Sequence, residues 1–266
     1  MTSYFAETDF SPFLALAKEE GWICGRWELE FLMKSFPQGC LVCREQGSTL
    51  GYVSSVRYGK SGWIGNLLVP PDARRRGIGR RLMEQAVSAL LKSGVETIWL
   101  TASLSGAGLY QRLGFRQVGN INRWAGCGIA GQAGKPVPFD LETVREVDRA
   151  GWGESRDALL QITCGRGRLY SSPGGFLCCQ PWEDGLQIGP WGDLSGNRAG
   201  QLLDQALSAA GERVFLDVPA ANLAAASLLS QKGFSIKESS ALMYFGAQPI
   251  YQPEFIFALA TMGSIG

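Results

Sequence analysis

The densest concentration of ligand-binding chemistry in the 266 residues is Arg74-Arg75-Arg76-Gly77-Ile78-Gly79-Arg80, with Arg81 directly after it. Arginine carries a fixed positive charge and a fork of donors that suits phosphate oxygens. Glycine lets the main chain approach an anion closely and adopt dihedrals that side chains resist. The run lies between an apolar, strand-like segment ending at Val69 and a helical pattern starting at Ile78. Free N–H groups and the helix dipole favour an anion at such a junction. The natural ligand is one with several phosphate charges, a pyrophosphate. Two familiar phosphate loops are excluded: a Walker A loop needs Gly-Lys-Ser/Thr after its spacer, and a dinucleotide loop needs a third glycine where Leu82 stands. Composition alone leaves another reading open, a solvated basic helix start or a nuclear-localisation-like run.

The surrounding pattern supplies the elements that must hold this loop. Helical spacing predicts helices over Asp9 to Glu20 and Arg26 to Ser35. Strands are expected at Gly39 to Glu45, Thr49 to Tyr58 and Trp63 to Val69, joined by Gln46-Gly47-Ser48 and Gly59-Lys60-Ser61-Gly62 as an antiparallel meander. A long helix follows from Ile78 to about Lys92, with Leu82, Ala86, Ala89 and Leu90 on one face and Gly94 closing it. Glu96 to Thr101 reads as a buried strand, and Ala107 to Leu113 as a short helix ending at Gly114, before a strand that starts at Phe115.

These residues resemble the GNAT superfamily of N-acetyltransferases. Val69-Pro70-Pro71 through Gly77-Ile78-Gly79 matches its V-x-P and R/Q-x-x-G-x-G/A pattern, and Leu109-Tyr110-Gln111-Arg112-Leu113-Gly114-Phe115 matches its later Y-x-x-x-G-F signature, about thirty residues downstream. The resemblance implies acetyl-CoA as co-substrate and no metal. It gives the backbone of Leu67, Leu68 and Val69 to the pantetheine arm, and the loop from Arg74 through Arg75, Arg76, Gly77, Ile78 and Gly79 to Arg80 to the pyrophosphate. Tyr110 would protonate the departing thiolate; its other reading is a core aromatic on a short amphipathic helix. The strand stretch Ile64-Gly65-Asn66-Leu67 lacks the glutamate that many members place there as base, and Ser103 stands where an asparagine is frequent. Glu28 and Glu30 are substitute bases or simply an exposed helix face, and ordered water is a further route.

Gly126 to Pro138 is rich in glycine and proline, and the stretch from Trp124 to Pro138 reads as a linker. The domain boundary is placed there, giving 1–130 and 131–266. Beyond it the order of elements repeats at an offset of 120 residues: Leu82, Gln85, Ala86, Ser88 and Ala89 recur as Leu202, Gln205, Ala206, Ser208 and Ala209. Ile64-Gly65 answers to Ile188-Gly189, and Gly114-Phe115 to Gly233-Phe234. The expected fold class is α+β, two tandem GNAT-like domains, each a mostly antiparallel splayed sheet flanked by helices. The second half resembles the C-terminal domain of some GNAT enzymes through Asp148, Arg156 to Leu160, Ile188-Gly189-Pro190 and Asp217-Val218-Pro219. Its loop, Leu194-Ser195-Gly196-Asn197-Arg198-Ala199, has lost the G-x-G step, and Leu229 replaces the tyrosine, so acetyl-CoA is not expected there. Shaping the acceptor site and a purely structural role both remain open for it.

Other classes are narrowed by composition. With 45% hydrophobic and 18% charged residues the chain can bury an ordinary core. A net charge of +1 gives no global attraction to nucleic acid or anionic membrane. The chain contains no histidine, which removes the commonest general base, the serine-protease-type triad and the commonest metal ligand together. Seven cysteines without framework spacing predict reduced thiols, and Cys40-Leu41-Val42-Cys43 fits a strand better than a metal knuckle. Phe255 to Met262 is too short to span a bilayer and reads as a docking strand or helix. The expected setting is cytoplasmic, the acceptor a small-molecule or peptide amine, with homodimer formation open. A non-catalytic acyl-CoA sensor is the rival from another class.

Overall fold

In the computed structural model, residues 1–104, 106–129, 134–182, 185–208 and 213–266 are described. The first half carries strands β1 (Thr2–Tyr4), β2 (Leu41–Glu45), β3 (Ser48–Tyr58), β4 (Ser61–Leu68), β5 (Thr97–Ala102) and β6 (Arg116–Gly126). Its helices are α1 (Phe10–Glu19), α2 (Arg26–Ser35), α3 (Ile78–Lys92) and α4 (Ala107–Arg112). The second half carries α5 (Leu141–Trp152), α6 (Asp157–Gly165), α7 (Ala199–Leu207) and α8 (Leu223–Gln231). Its strands are β7 (Arg168–Ser172), β8 (Gly175–Trp182), β9 (Gly185–Asp193), β10 (Val214–Pro219), β11 (Ser235–Gly246) and β12 (Ile256–Ala258). The meander β2–β3–β4 and the helix over Ile78 to Lys92 match the sequence pattern. Two features do not: β1 lies in a segment with no strand signal, and β6 runs to Gly126, into the stretch read as linker from Trp124. The boundary between residues 130 and 131, and the Ala209 of the repeat, lie outside the described residues.

All twelve strands join one sheet in the order β1-β2-β3-β4-β5-β11-β6-β10-β9-β8-β7, with β12 on β9. Among the described residues only β4–β5 and β9–β10 are parallel, and both pairings are short: Ser61 to Trp63 against Thr97 to Trp99, and Leu186–Gln187 against Val214–Phe215. Beyond those residues the strands part. In β4 the cause is a bulge between the Ser54↔Gly65 and Tyr52↔Leu68 pairs, where Asn66 takes φ +56° and its Nδ2 donates to Ser54 Oγ at 2.9 Å. An inserted residue bends a strand away from its neighbour.

The last strand of each half is exchanged. β11 lies between β5 and β6, while β6 pairs with β10. Each half's sheet is therefore completed by a strand of the other, and the strands β5-β11-β6-β10 stand between the two splayed wedges.

Two layers cover this sheet. On one side α3 buries Leu82, Met83, Ala86 and Leu90 against Cys43, Val53, Ile64, Ile98 and Leu100. Met83 takes the buried place expected of Ala89, which is only partly covered. Each of the fully buried leucine and methionine side chains contributes about 1.5–3 kcal/mol. On the other side Trp63, Trp99 and Trp152 meet with ring centroids 5.7–6.5 Å apart, joining both halves in one aromatic cluster.

The repeat is physical as well as textual. Gly114 and Gly233 both take positive φ, and the following Phe115 and Phe234 amides both donate at 3.0 Å to the carbonyls of Tyr110 and Leu229. After β12 the segment 259–266 runs across both wedges. A Cβ on Gly189 would lie 1.9 Å from Leu259 O, and one on Gly65 would lie 2.1 Å from Ser264 O. Only glycine lets the tail lie this close. All seven thiols are free, and Cys43 Sγ accepts from Arg81 Nη2 at 2.6 Å. No described helix is long and apolar enough to cross a membrane.

Candidate active site

The first wedge opens into a cleft of about 1380 Å³. Its floor is the splayed part of β4, Ile64 to Leu68, with Val69 directly after it, and one end is the loop with Arg74, Arg75, Gly77, Ile78, Gly79 and Arg80. Leu109, Tyr110 and Arg112 of α4 line it as well, Leu109 beside Gly79 of the loop. The sequence-predicted residues Leu67, Leu68, Val69 and Tyr110 are thus brought together with the loop, whereas Arg76 does not line the cleft.

The loop's shape follows from its sequence. Pro70 and Pro71 stop β4 and start a single 3-10 turn, Pro71–Ala73. Arg75 then takes φ +63° and Gly77 φ +76° before α3 begins. The first amide to reach a carbonyl is Arg81 N, bonded to Gly77 O at 3.1 Å. Among the described residues, the N–H groups of Arg75 to Arg80 meet no carbonyl. A Cβ on Gly77 would meet nothing within 4 Å, and one on Gly79 only Val69, Leu109 and Leu67 side chains at 3.7–3.9 Å. The loop is an open cradle of donors at a helix start, and its residues fit a pyrophosphate.

The arginines are less available than their number implies. Arg74 donates through Nε to Val69 O at 2.9 Å and pairs with Glu20. Arg76 pairs with Glu45 at 2.5 Å, and Arg80 with Glu84 at 2.8 Å. Arg81 is turned to Cys43. Among the described residues, Arg75 and Arg112 are the cleft arginines with no ion pair. The pairs at Arg76 and Arg80 are exposed, worth little, and exchangeable for a phosphate oxygen.

Tyr110 packs edge-on against Phe115 with centroids 6.0 Å apart. Burial pushes its phenol up to about 12, so it holds its proton at neutral pH and is a donor, not a base. Ser103 Oγ accepts from Gly106 N at 3.2 Å, fixing the approach to α4.

The far end of the cleft belongs largely to the second half. Asp217 of β10, Glu238, Ser239 and Ser240 of β11, and Met262 to Ser264 all line it, facing Arg123 of β6. Arg123 binds Asp217 through two bonds of 3.0 Å and Glu238 at 3.3 Å. Burial raises the Asp217 carboxyl despite the opposing pull of Arg123. No sequence motif pointed to these residues. Asp217 stands out in the sequence only through the resemblance of its segment, because the strand exchange that delivers it is not a local property.

Glu28 and Glu30 separate cleanly. Glu30 is exposed and paired with Arg26 at 2.8 Å. Glu28 is 1% exposed; Gly25 N donates to its Oε1 at 2.9 Å, and the Ser264 hydroxyl donates to its Oε2. Burial is the main cause that raises its carboxyl to about 7, opposed by those two hydrogen bonds and by Arg166.

The second wedge is built differently. Asp193 Oδ1 accepts from Ser195 N at 2.9 Å and Gly196 N at 2.6 Å, so loop amides that would face a phosphate already hold an internal carboxylate. Asn222 caps α8 by accepting from Ala225 N at 2.9 Å and donates to Glu254 O and Ile256 O. Leu229, at the tyrosine position, is fully buried.

Two family models match this chain, each described as an acetyltransferase (GNAT) domain, over residues 37–117 and 144–258. An uncharacterised N-acetyltransferase of Methanocaldococcus jannaschii is 31% identical over 117 residues, 40% of this chain and 51% of that relative. The match therefore spans about half of that relative's length. The uncharacterised N-acetyltransferase YitH of Bacillus subtilis is 22% identical over 271 residues, 95% of this chain and 94% of its own. A Pyrococcus horikoshii protein solved as a candidate acetyltransferase superposes with TM-score 0.87 at 21% identity, covering 99% of this chain and 95% of that one. At that identity the likeness concerns the fold.

Proposed function

Because the chain belongs to the GNAT superfamily in both of its halves, we propose that it transfers the acetyl group of acetyl-CoA to a primary amine of a small molecule or peptide, using the first wedge alone. The observation that carries this reading is the cradle: donor amides from Arg75 to Arg80 meet no carbonyl, and both glycines open onto the cleft that Tyr110 lines.

In this reading the loop from Arg74 to Arg80 binds the pyrophosphate by its amides, with Arg75 adding charge, and the unpaired edge of Leu67, Leu68 and Val69 holds the pantetheine arm. The coenzyme supplies an activated thioester. The protein's share is to place an amine beside it, exclude water and give the departing sulfur a proton, which the Tyr110 phenol is suited to do. Residues 1–130 carry this machinery. Residues 131–266 close the acceptor end through Asp217, Glu238 and the tail, and the amides of their own loop are taken by Asp193. The acceptor end bears two carboxylates against one arginine, which favours a cationic acceptor.

A thiol-release assay across an amine library tests the reading. Acceptor-dependent coenzyme A release is expected, whereas tight acetyl-CoA binding with no turnover on any amine supports the sensor instead. Gly79→Val should weaken acetyl-CoA binding at least about tenfold by calorimetry, since its side chain enters the cradle. Unchanged affinity would remove the cofactor assignment.

A further inference from the structure

β4 offers no carboxylate to the cleft, yet an acceptor ammonium must lose a proton before it can attack a thioester. The position on β4 is occupied in another way. Gly65 has no side chain, and Ser264 of the tail fills the space, its carbonyl 2.1 Å from where a Cβ would stand. Ser264 lines the cleft and its hydroxyl is turned to Glu28, which lies behind it on α2. Among the described residues no cation is bonded to the carboxylate. The nearby Arg166 lies instead over the Trp27 ring at 4.3 Å and bonds Gln180 Oε1 at 3.1 Å. A buried carboxylate without an ion pair is costly, and one joined to a binding cleft through a single hydroxyl is placed to exchange a proton with what enters.

We propose that Ser264 and Glu28 form the proton-accepting end of the cleft, the Ser264 hydroxyl taking a proton from the acceptor ammonium while passing its own to Glu28. This rests on the acyl-transfer reading above. Ser264 is the group that touches the acceptor, and Glu28 acts through it. The amine nitrogen then forms the C–N bond and the C–S bond breaks. Of the two protons that an ammonium loses on becoming an amide, one is taken up by Glu28, which returns it through the Ser264 hydroxyl to the open cleft once the product has left. The other replaces the phenolic proton that Tyr110 gives to the sulfur. The charged and titratable groups acting on Glu28 are Arg166 after α6 and Cys24 before α2, whose thiol burial pushes well above its usual range. Thr261 of the tail stands 3.3 Å from the Ser264 hydroxyl. Burial leaves Glu28 exchanging its proton near neutral pH, where such a relay is useful.

The test is the pH profile of kcat/KM for the full chain, Ser264→Ala and Glu28→Gln, with two acceptors: an alkylamine, charged at pH 7, and an O-alkylhydroxylamine, neutral there. With the alkylamine the wild type should show an acidic limb near pH 7. Both variants should lose that limb and about 100-fold or more in rate. With the neutral acceptor both should stay within about tenfold of wild type, and acetyl-CoA affinity by calorimetry should be unchanged. Equal losses with both acceptors, or an unmoved limb, overturn the relay while leaving acyl transfer standing. Failure of the wild type to turn over either amine, or any other, overturns acyl transfer itself.

Discussion

Replacing Glu28 by glutamine should make the protein more stable above neutral pH and leave it nearly unchanged in acid. The carboxyl is 1% exposed and its proton is held up to about 7, against an ordinary 4.5. Below the unfolded value both states carry the proton, and burial of the neutral acid costs little. Between roughly 4.5 and 7 the unfolded chain releases its proton while the folded one keeps it. Folding then binds more protons, so stability falls as pH rises. At about 1.4 kcal/mol per pH unit the loss amounts to about 3 kcal/mol and is complete just above pH 7. Glutamine preserves the shape and can still accept from Gly25 N, and every other titrating group is common to both proteins. Their difference therefore isolates Glu28. Urea denaturation at half-unit steps from pH 5 to 8.5 should show the Glu28→Gln advantage growing by about 2.5 kcal/mol across that range, the first part of the loss falling below pH 5. A difference flat to within roughly 0.5 kcal/mol would refute the burial argument, whatever the kinetics show.

Tyr110→Phe should lower turnover by roughly 100- to 10,000-fold while acetyl-CoA affinity changes little, because the ring still packs on Phe115 and only the proton donor is lost; unaltered turnover would leave Tyr110 a packing residue. Arg123→Leu strands the buried Asp217 and should cost about 3–5 kcal/mol by denaturant unfolding, with Asp217→Asn in the same chain recovering part of it. No recovery in the double variant would show that the pair is not the source of the loss. Gly65→Ala puts a Cβ 2.1 Å from Ser264 O, so the tail must move. About 1–3 kcal/mol of destabilisation is expected, together with faster proteolysis of the last residues.

Local chemistry made much of this protein legible from its sequence. The two prolines after Val69, the glycines at 77 and 79 and the helical period from Ile78 to Lys92 each act within a few residues, so the strand–loop–helix cradle could be read directly. The duplication was readable for the same reason, since equal local patterns fold into equal local shapes: Phe115 and Phe234 make the same 3.0 Å bond. Two details of that site were not legible. Residue type announced five neighbouring arginines, but only folding showed that Arg74, Arg76 and Arg80 are held by Glu20, Glu45 and Glu84. Helical position made Glu28 and Glu30 equal candidates, and only packing buried one and left the other in solvent.

The amino-acid sequence by itself determined where a glycine-opened, arginine-rich loop joins a strand to a helix, that the chain is a duplicated α+β protein, and that its chemistry proceeds without imidazole. The tertiary structure alone decided what faces that cradle. Exchange of β6 and β11, and passage of the 259–266 segment over Gly65 and Gly189, bring Asp217, Glu238 and Ser264 to the cleft from 150 or more residues away from Gly65. Pairings of that separation depend on the strand register and glycine-sized gaps of distant segments, and those exist only once the whole sheet has formed.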